Sequence, residues 1–252
     1  MGLSRSRRQI YGRLAGLVEL RLIAILVMVF DHALLFLSPD SALQGVIRLT
    51  LTRCAEPLFV FVFAYLTIYL KRSMKVSRWV QIVIVSAITS TALSRFLGYA
   101  VADVLVSIAI VAPVLPWIFS LPRRAGLVVL YASAALAAVP LGVGGVAFDY
   151  SPLLILHQVI LTQIHADRGL RSAAKHGLFC LALLMVATGV VSLGATPSAS
   201  IMVVLVGHPV AALVIALVQG KPTSWSTPLT RIAKRPLTLY VLHLLGFAML
   251  AG

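Results

Sequence analysis

Apolar residues occur in long runs along this chain, and short polar or basic segments separate the runs. A helix needs about 20 apolar residues to cross the hydrocarbon core of a bilayer, and somewhat fewer when its polar ends reach the interface. The pattern therefore predicts an all-α protein, a polytopic bundle of about nine transmembrane helices. The runs lie at approximately 20–38, 55–70, 79–96, 98–120, 125–147, 150–165, 175–195, 199–219 and 236–252.

The basic residues cluster in alternate connections between these runs. If the N-terminus is cytoplasmic and nine spans are present, all but three of the 21 Lys and Arg residues lie on the cytoplasmic side. Cytoplasmic segments of membrane proteins carry an excess of Lys and Arg. The distribution therefore favours nine helices, N-in and C-out, in a cytoplasmic membrane of bacterial type. The three exceptions are Arg48, Arg53 and Arg95.

Composition supports the same class. The chain is 60% hydrophobic and only 11% charged, whereas soluble domains contain about 25% charged residues. The net charge of +14 raises the possibility of nucleic-acid binding, but the basic residues are scattered and no DNA-binding motif occurs. We therefore expect the lipid bilayer as partner and no nucleic acid. Residues 1–252 are interpreted as a single integral membrane domain, with 1–19 as a basic cytoplasmic leader.

The first predicted span contains an ionisable pair, Asp31 and His32. They follow Arg21 by ten and eleven residues, which is about 15 Å into a hydrocarbon core of roughly 30 Å. Ionisable groups at this depth are costly unless they face a protein interior or a water-filled cavity. A functional role is favoured, and a buried structural hydrogen-bonded pair is the alternative.

Other charged residues collect near the outer side of the predicted bundle. Arg53 and Glu56 are three residues apart at the start of the second span, so they share a helix face and can pair. Arg95 lies at the outer end of the third span. A polar cavity open to the outside would explain these residues, although an interfacial ion pair would also explain Arg53 and Glu56. The acidic residues on this side are Asp31, Asp40, Glu56, Asp103 and Asp149.

Four further intramembrane residues are candidates for chemistry or for helix contacts. Tyr240 and His243 lie three residues apart on one face of the last span, where a plain interhelical hydrogen bond is the alternative to a functional role. His157 and His208 lie near mid-membrane on separate spans. Because two such histidines can ligate haem, a haem site is retained as a minor alternative.

Three segments resemble motifs of the integral membrane acyltransferase superfamily. This group includes the acyltransferase-3, heparan-alpha-glucosaminide N-acetyltransferase-like and TraX-like proteins. The segment from Arg21 to Asp31-His32 resembles the first-helix motif, in which an arginine precedes a histidine by eleven residues. Residues 56–66 are similar to the second helix, with Ala64 in place of the usual glycine. Residues 236–243 resemble the closing helix with its Tyr-x-x-His.

The resemblance implies transfer of an acyl group from cytoplasmic acyl-CoA, with acetyl-CoA the favoured donor and no metal. The acceptor would be a hydroxyl or amine of an extracytoplasmic glycan, lipid or peptide. His32 would be the general base, with Asp31 beside it as the second catalytic candidate. The candidates for binding the acceptor or the oxyanion are Arg53, Glu56, Arg95, Tyr240 and His243, and those for binding CoA phosphates are Arg21, Lys71 and Arg72.

Two functions of other classes remain open at the level of sequence. A transporter or flippase for a polar or anionic substrate could use the outer arginines, although no inverted repeat with broken helices is visible. A membrane electron carrier could use His157 and His208 to hold haem.

Overall fold

The computed structural model describes residues 16–37, 47, 52–70, 74–137, 142–143, 146–148, 150–191, 207–218 and 235–251. Most of these residues are helical, as the apolar pattern predicts. A single 3₁₀ turn, Thr52–Cys54, precedes α2. The helices are α1 (Leu17–Leu37), α2 (Ala55–Leu70), α3 (Val76–Leu97), α4 (Val104–Val111), α5 (Leu115–Ser120), α6 (Arg123–Leu136), α7 (Pro152–Arg168), α8 (Leu170–Val191), α9 (His208–Val218) and α10 (Pro236–Ala251).

Among the described residues, two helices are long and apolar enough to cross a membrane. They are α3 and the Leu170–Ala187 part of α8, and only 22% and 11% of their most apolar stretches are buried in the protein. An apolar helix in the core of a soluble protein would instead be covered by its neighbours. Large apolar side chains are also exposed on other helices, including Phe30, Val128 and Leu213. This exposed apolar surface indicates association with a membrane.

The predicted runs agree with the helices in most places, and two of them need correction. The run 55–70 coincides with α2, and 20–38, 79–96 and 236–252 overlap α1, α3 and α10. The run 98–120 is not helical at its start, because Gly98 adopts φ 75° and ends α3 in the left-handed region that glycine tolerates.

The second correction concerns the run 125–147, because α6 ends at Leu136 and extended chain follows it. The segment from Pro140 to Gly145 is rich in proline and glycine, which are poor helix formers. An apolar run alone does not separate a strand from a helix. The described residues are therefore not purely α-helical.

The extended segments form a small three-stranded sheet in the order β1-β3-β2. Strand β1 (Val101–Ala102) is parallel to β3 (Val146–Phe148), and β2 (Gly142–Val143) is antiparallel to β3. The sheet joins the connection after α3 to the connection before α7. It thereby places Asp103, directly after β1, at the start of α4 in the protein interior, where it is 1% exposed.

The first and last helices pack side by side. α1 contacts α2 and α10, and α10 also contacts α3. The ring of His32 meets that of His243 with centroids 5.0 Å apart, and the ring of Phe36 lies against that of Phe247 with centroids 6.0 Å apart. Phe36 follows His32 by four residues on α1, and Phe247 follows His243 by four residues on α10. The two helices therefore run in the same direction. This packing brings the two ends of the chain into one site.

Candidate functional site

The centre of the candidate site is a pair of histidines from α1 and α10. His32 Nδ1 lies 2.7 Å from His243 Nε2, and His243 Nδ1 lies 2.8 Å from the backbone oxygen of Leu239. A carbonyl oxygen only accepts hydrogen bonds, so His243 Nδ1 carries a proton and donates a hydrogen bond to the backbone oxygen of Leu239. In a neutral His243 the lone pair is then on Nε2, which accepts a hydrogen bond from His32 Nδ1.

This hydrogen bond defines the tautomer of His32. With its proton on Nδ1, a neutral His32 has its basic lone pair on Nε2. An imidazole held in one tautomer by a hydrogen bond to its other nitrogen is the arrangement of general-base histidines. His32 is also 8% exposed, so its ring is held within the protein. The arrangement can therefore take a proton from a group placed against Nε2.

A buried carboxylate supports the histidine pair from α4. The Tyr240 hydroxyl donates to Asp103 Oδ1, and the Thr89 hydroxyl donates to Asp103 Oδ2 at 2.5 Å. Tyr240 in turn packs edge-on against both rings, with centroids 6.2 Å from His32 and 5.4 Å from His243. The sequence pattern marked Asp103 only as one of several outer acidic residues. Its contact with Tyr240 spans 137 residues of sequence, which no local spacing reveals.

Asp31 faces a different neighbour from His32. Its Oδ1 accepts a hydrogen bond from the Thr52 hydroxyl at 2.5 Å, which ties α1 to the turn before α2. The ion pair predicted from the spacing of Arg53 and Glu56 is confirmed, with Arg53 Nη1 3.4 Å from Glu56 Oε1. Asp31 therefore supports the position of the Arg53–Glu56 segment.

Cys54 lies in this same turn and is buried. Burial, and to a smaller extent the nearby Glu56 carboxylate, raise the pKa of the Cys54 thiol to about 11. The thiol therefore stays protonated at neutral pH and is a packing group.

The start of α9 presses against the Arg53 turn through a glycine. A Cβ at Gly207 would lie 2.3 Å from the backbone oxygen of Arg53. We expect Gly207→Ala to lower the free energy of unfolding by about 1–3 kcal/mol, because backbone must shift to relieve this overlap. The measurement is the thermal unfolding midpoint of the purified protein in one detergent.

Gly246→Ala is the matched control, because a Cβ at Gly246 in α10 meets nothing within 4 Å. An alanine in a helix interior is expected to stabilise by roughly 0.5–1 kcal/mol. Equal midpoints for the Gly207→Ala and wild-type proteins would contradict the close approach.

A cavity of about 400 Å³ lies between α1, α2, α3, α4 and α10, at the other end of α1 from Asp31. Three cationic residues line it, namely Arg21, Lys75 and Arg78. The rest of its described lining is apolar apart from one threonine, and it includes Phe63 and Leu237. Three positive charges at an apolar cavity suit a ligand with an anionic end and an apolar arm.

Helix geometry relates this cavity to the histidine pair. Eleven residues are close to three helical turns, so Arg21 and His32 lie on nearly the same face of α1 with a rise of about 16 Å. On α10, Leu237 lines the cavity, and Tyr240 and His243 follow it at spacings of three residues. The cavity and the histidine pair therefore lie along nearly the same face of α1, whereas Leu237 and His243 point about 120° apart around α10.

The remaining site residues predicted from sequence fall outside this cluster. Arg95 is exposed in the last turn of α3 and lines a shallow depression with Tyr99. The role of Arg95 in binding the acceptor or the oxyanion stays a prediction. Lys71 and Arg72 lie outside the described residues. Lys75 and Arg78, which sequence reasoning used only to assign topology, line the cavity in their vicinity.

His157 and His208 form a second histidine pair with a different geometry. Their rings are nearly parallel, with centroids 5.5 Å apart and an interplanar angle of 7°. His208 Nε2 lies 3.4 Å from the Tyr150 hydroxyl. Two histidines that ligate one haem iron direct their nitrogens at it from opposite faces of the macrocycle. A haem site on His157 and His208 stays a prediction.

Comparisons with known proteins add no identification. No family model matches the chain, and neither a curated protein nor a solved structure matches it.

Proposed function

We propose that the chain is a membrane-embedded acyltransferase. It would move an acyl group, acetyl in the first place, from cytoplasmic acyl-CoA to an extracytoplasmic hydroxyl or amine. The observation that carries the proposal is the 2.7 Å contact between His32 Nδ1 and His243 Nε2. Together with the bond from His243 to Leu239, it supports the assignment of the basic lone pair of His32 to Nε2.

The reaction requires one proton transfer and one exchange of bonds at a carbonyl carbon. His32 Nε2 takes the proton as the acceptor oxygen or nitrogen attacks the thioester carbon. The new bond to the acceptor forms, the carbon–sulfur bond breaks, and the CoA thiolate leaves and recovers the proton from His32. The Arg53 guanidinium, which is paired with Glu56, would donate a hydrogen bond to the oxyanion of the tetrahedral intermediate.

The cationic cavity provides the natural place for the donor. Arg21, Lys75 and Arg78 would bind the CoA phosphates, and the apolar lining would hold the pantetheine arm. The rise of about 16 Å from Arg21 to His32 then separates the phosphate end of the donor from the base. A donor of extended shape fits this separation.

The proposal includes the topology. A single membrane domain over residues 1–252 would cross a bacterial-type cytoplasmic membrane nine times, with its N-terminus inside and its C-terminus outside. The shared direction of α1 and α10 supports an odd number of crossings, because the first and last of nine spans are parallel. The basic residues of the cavity would then lie at the cytoplasmic end, where acyl-CoA is present.

Acyl-CoA binding and turnover by the purified protein test the function. We expect acetyl-CoA to bind, and slow transfer of its acyl group to water or to a small amine to release CoA. Release of CoA is followed with a thiol reagent, and His176→Ala, a histidine variant far from the pair along the chain, serves as the control with unchanged activity. If no acyl-CoA binds, acyl transfer is excluded, and a transporter or flippase that moves its substrate without acyl-CoA takes its place.

Charge removal in the cavity separates donor binding from chemistry. We expect Arg21→Gln to raise the KM for acyl-CoA roughly tenfold to a hundredfold with little change in kcat, because a charge-assisted hydrogen bond to phosphate contributes about 1.5–3 kcal/mol. Steady-state kinetics over a series of acyl-CoA concentrations make the measurement. Arg95→Gln is the matched control and should leave KM unchanged. An unchanged KM in Arg21→Gln would remove the cavity from the donor site.

A further inference from the structure

A second cavity, of about 290 Å³, lies between α2, α7, α8 and α9. It shares no lining residue with the cationic cavity. Its lining by described residues is mainly apolar and includes no Lys, Arg, Asp or Glu side chain. The polar residues that line it are Gln158, Thr162, His165 and His208. Its ligand is therefore mostly apolar with a small number of hydrogen-bonding atoms.

Gln158 is the polar group that points to a ligand. The residue lines the cavity and is only 8% exposed. Among the described residues, none forms a hydrogen bond with the side-chain amide of Gln158. The Thr162 hydroxyl donates its hydrogen bond to the backbone oxygen of Gln158 instead. Buried amides are normally hydrogen-bonded. A ligand that offers a carbonyl oxygen would satisfy the amide.

The cavity opens onto apolar surface. Leu178 is part of its lining and is 68% exposed, and Leu213 and Leu217 on α9 are also exposed. A ligand that enters between α8 and α9 therefore passes over hydrocarbon side chains. In a chain placed in a bilayer, this entrance faces lipid.

We propose that this cavity binds the acyl chain of a membrane lipid, with the carbonyl oxygen of the chain accepting a hydrogen bond from the Gln158 amide. The inference rests on the proposed placement in a membrane and not on acyl transfer. It would hold equally for a transporter. An apolar quinone shares the same chemistry, and the test distinguishes the two.

Photolabelling in detergent tests the site without using enzymatic activity. The probe is palmitic acid with a diazirine in the middle of its chain, and adducts are mapped by mass spectrometry. We expect the adducts on α7 and α8 at residues that line the cavity, and we expect competition by unlabelled palmitoyl phospholipid. Stronger competition by a long-chain quinone than by the lipid would overturn the lipid assignment. Adducts spread evenly over exposed residues such as Val128 and Val186 would overturn the site.

Two variants and one control make the result specific. Gly177→Phe fills the cavity, since a Cβ at Gly177 meets only Leu161 Cδ1 at 3.8 Å, and should reduce labelling at least tenfold. Gly126→Phe is the control, because Gly126 lies on α6 outside the lining and its Cβ would meet nothing within 4 Å. Gln158→Leu should weaken binding roughly fivefold, the effect of one lost neutral hydrogen bond.

Folding of each variant is verified by its thermal unfolding midpoint. If Gly177→Phe does not fold, Ala212→Leu fills the cavity from α9 instead. Labelling at the wild-type level in a folded, cavity-filled variant contradicts the proposal.

Discussion

Replacing His32 by alanine is expected to abolish acyl transfer, with a loss in kcat of about 10²–10⁴-fold. This range is the contribution of a positioned general base. The protein should remain folded, because the contacts of the His32 ring with His243 and Tyr240 are few beside the packing of α1 against α2 and α10, which remains. CoA release under saturating acyl-CoA measures the effect.

The second measurement on this variant is its binding of acyl-CoA. His32→Ala should bind acyl-CoA as the wild type does, since Arg21, Lys75 and Arg78 line the cavity and His32 is not among its lining residues. A folded His32→Ala protein with full turnover would rule out His32 as the base. Loss of binding together with turnover would mean that His32 contacts the donor and does not act only on the acceptor.

Replacing His243 by leucine is expected to lower kcat about 10²-fold and to leave the KM for acyl-CoA unchanged. His243 does not act on the substrate in this scheme. It is a positioning residue. Its Nε2 accepts a hydrogen bond from the Nδ1–H of His32 and so keeps the lone pair of His32 on Nε2. Without that acceptor, His32 can adopt the other tautomer and can rotate. Single-turnover and steady-state rates at several pH values make the measurement.

A conservative variant separates this role from a structural one. The side-chain oxygen of glutamine accepts a hydrogen bond, so His243→Gln should recover part of the rate that His243→Leu loses. The two variants should have similar unfolding midpoints. Equal losses of kcat in both would contradict the proposed orientation of His32 by a hydrogen bond.

The elements of the fold that the sequence predicts well are those with a local signal. The apolar run 55–70 coincides with α2, because an uninterrupted apolar stretch of this length forms helix when its backbone groups bond internally. The runs 98–120 and 125–147 were predicted as helices and contain strands. Gly98 ends α3 in the left-handed region, and the sequence after α6 is rich in proline and glycine. A hydropathy profile shows neither feature.

The candidate site likewise contains features that local sequence spacing predicts and one that it does not. Spacing along one helix predicted the Arg53–Glu56 ion pair and the shared face of Tyr240 and His243, because side chains three residues apart are neighbours on any helix. The support of Tyr240 by Asp103 was not predicted. It depends on the short sheet that carries the chain from α3 back into the interior.

The sequence by itself determined that the chain is largely helical and apolar, and that His32 lies inside its first long apolar run. These properties follow from residue type and periodicity, which act over a few turns of helix. Only the tertiary structure decided that His32 meets His243, 211 residues away, and that Lys75 and Arg78 join Arg21 at one cavity. Such contacts depend on which helix faces pack together, and many packings bury the same apolar residues equally well.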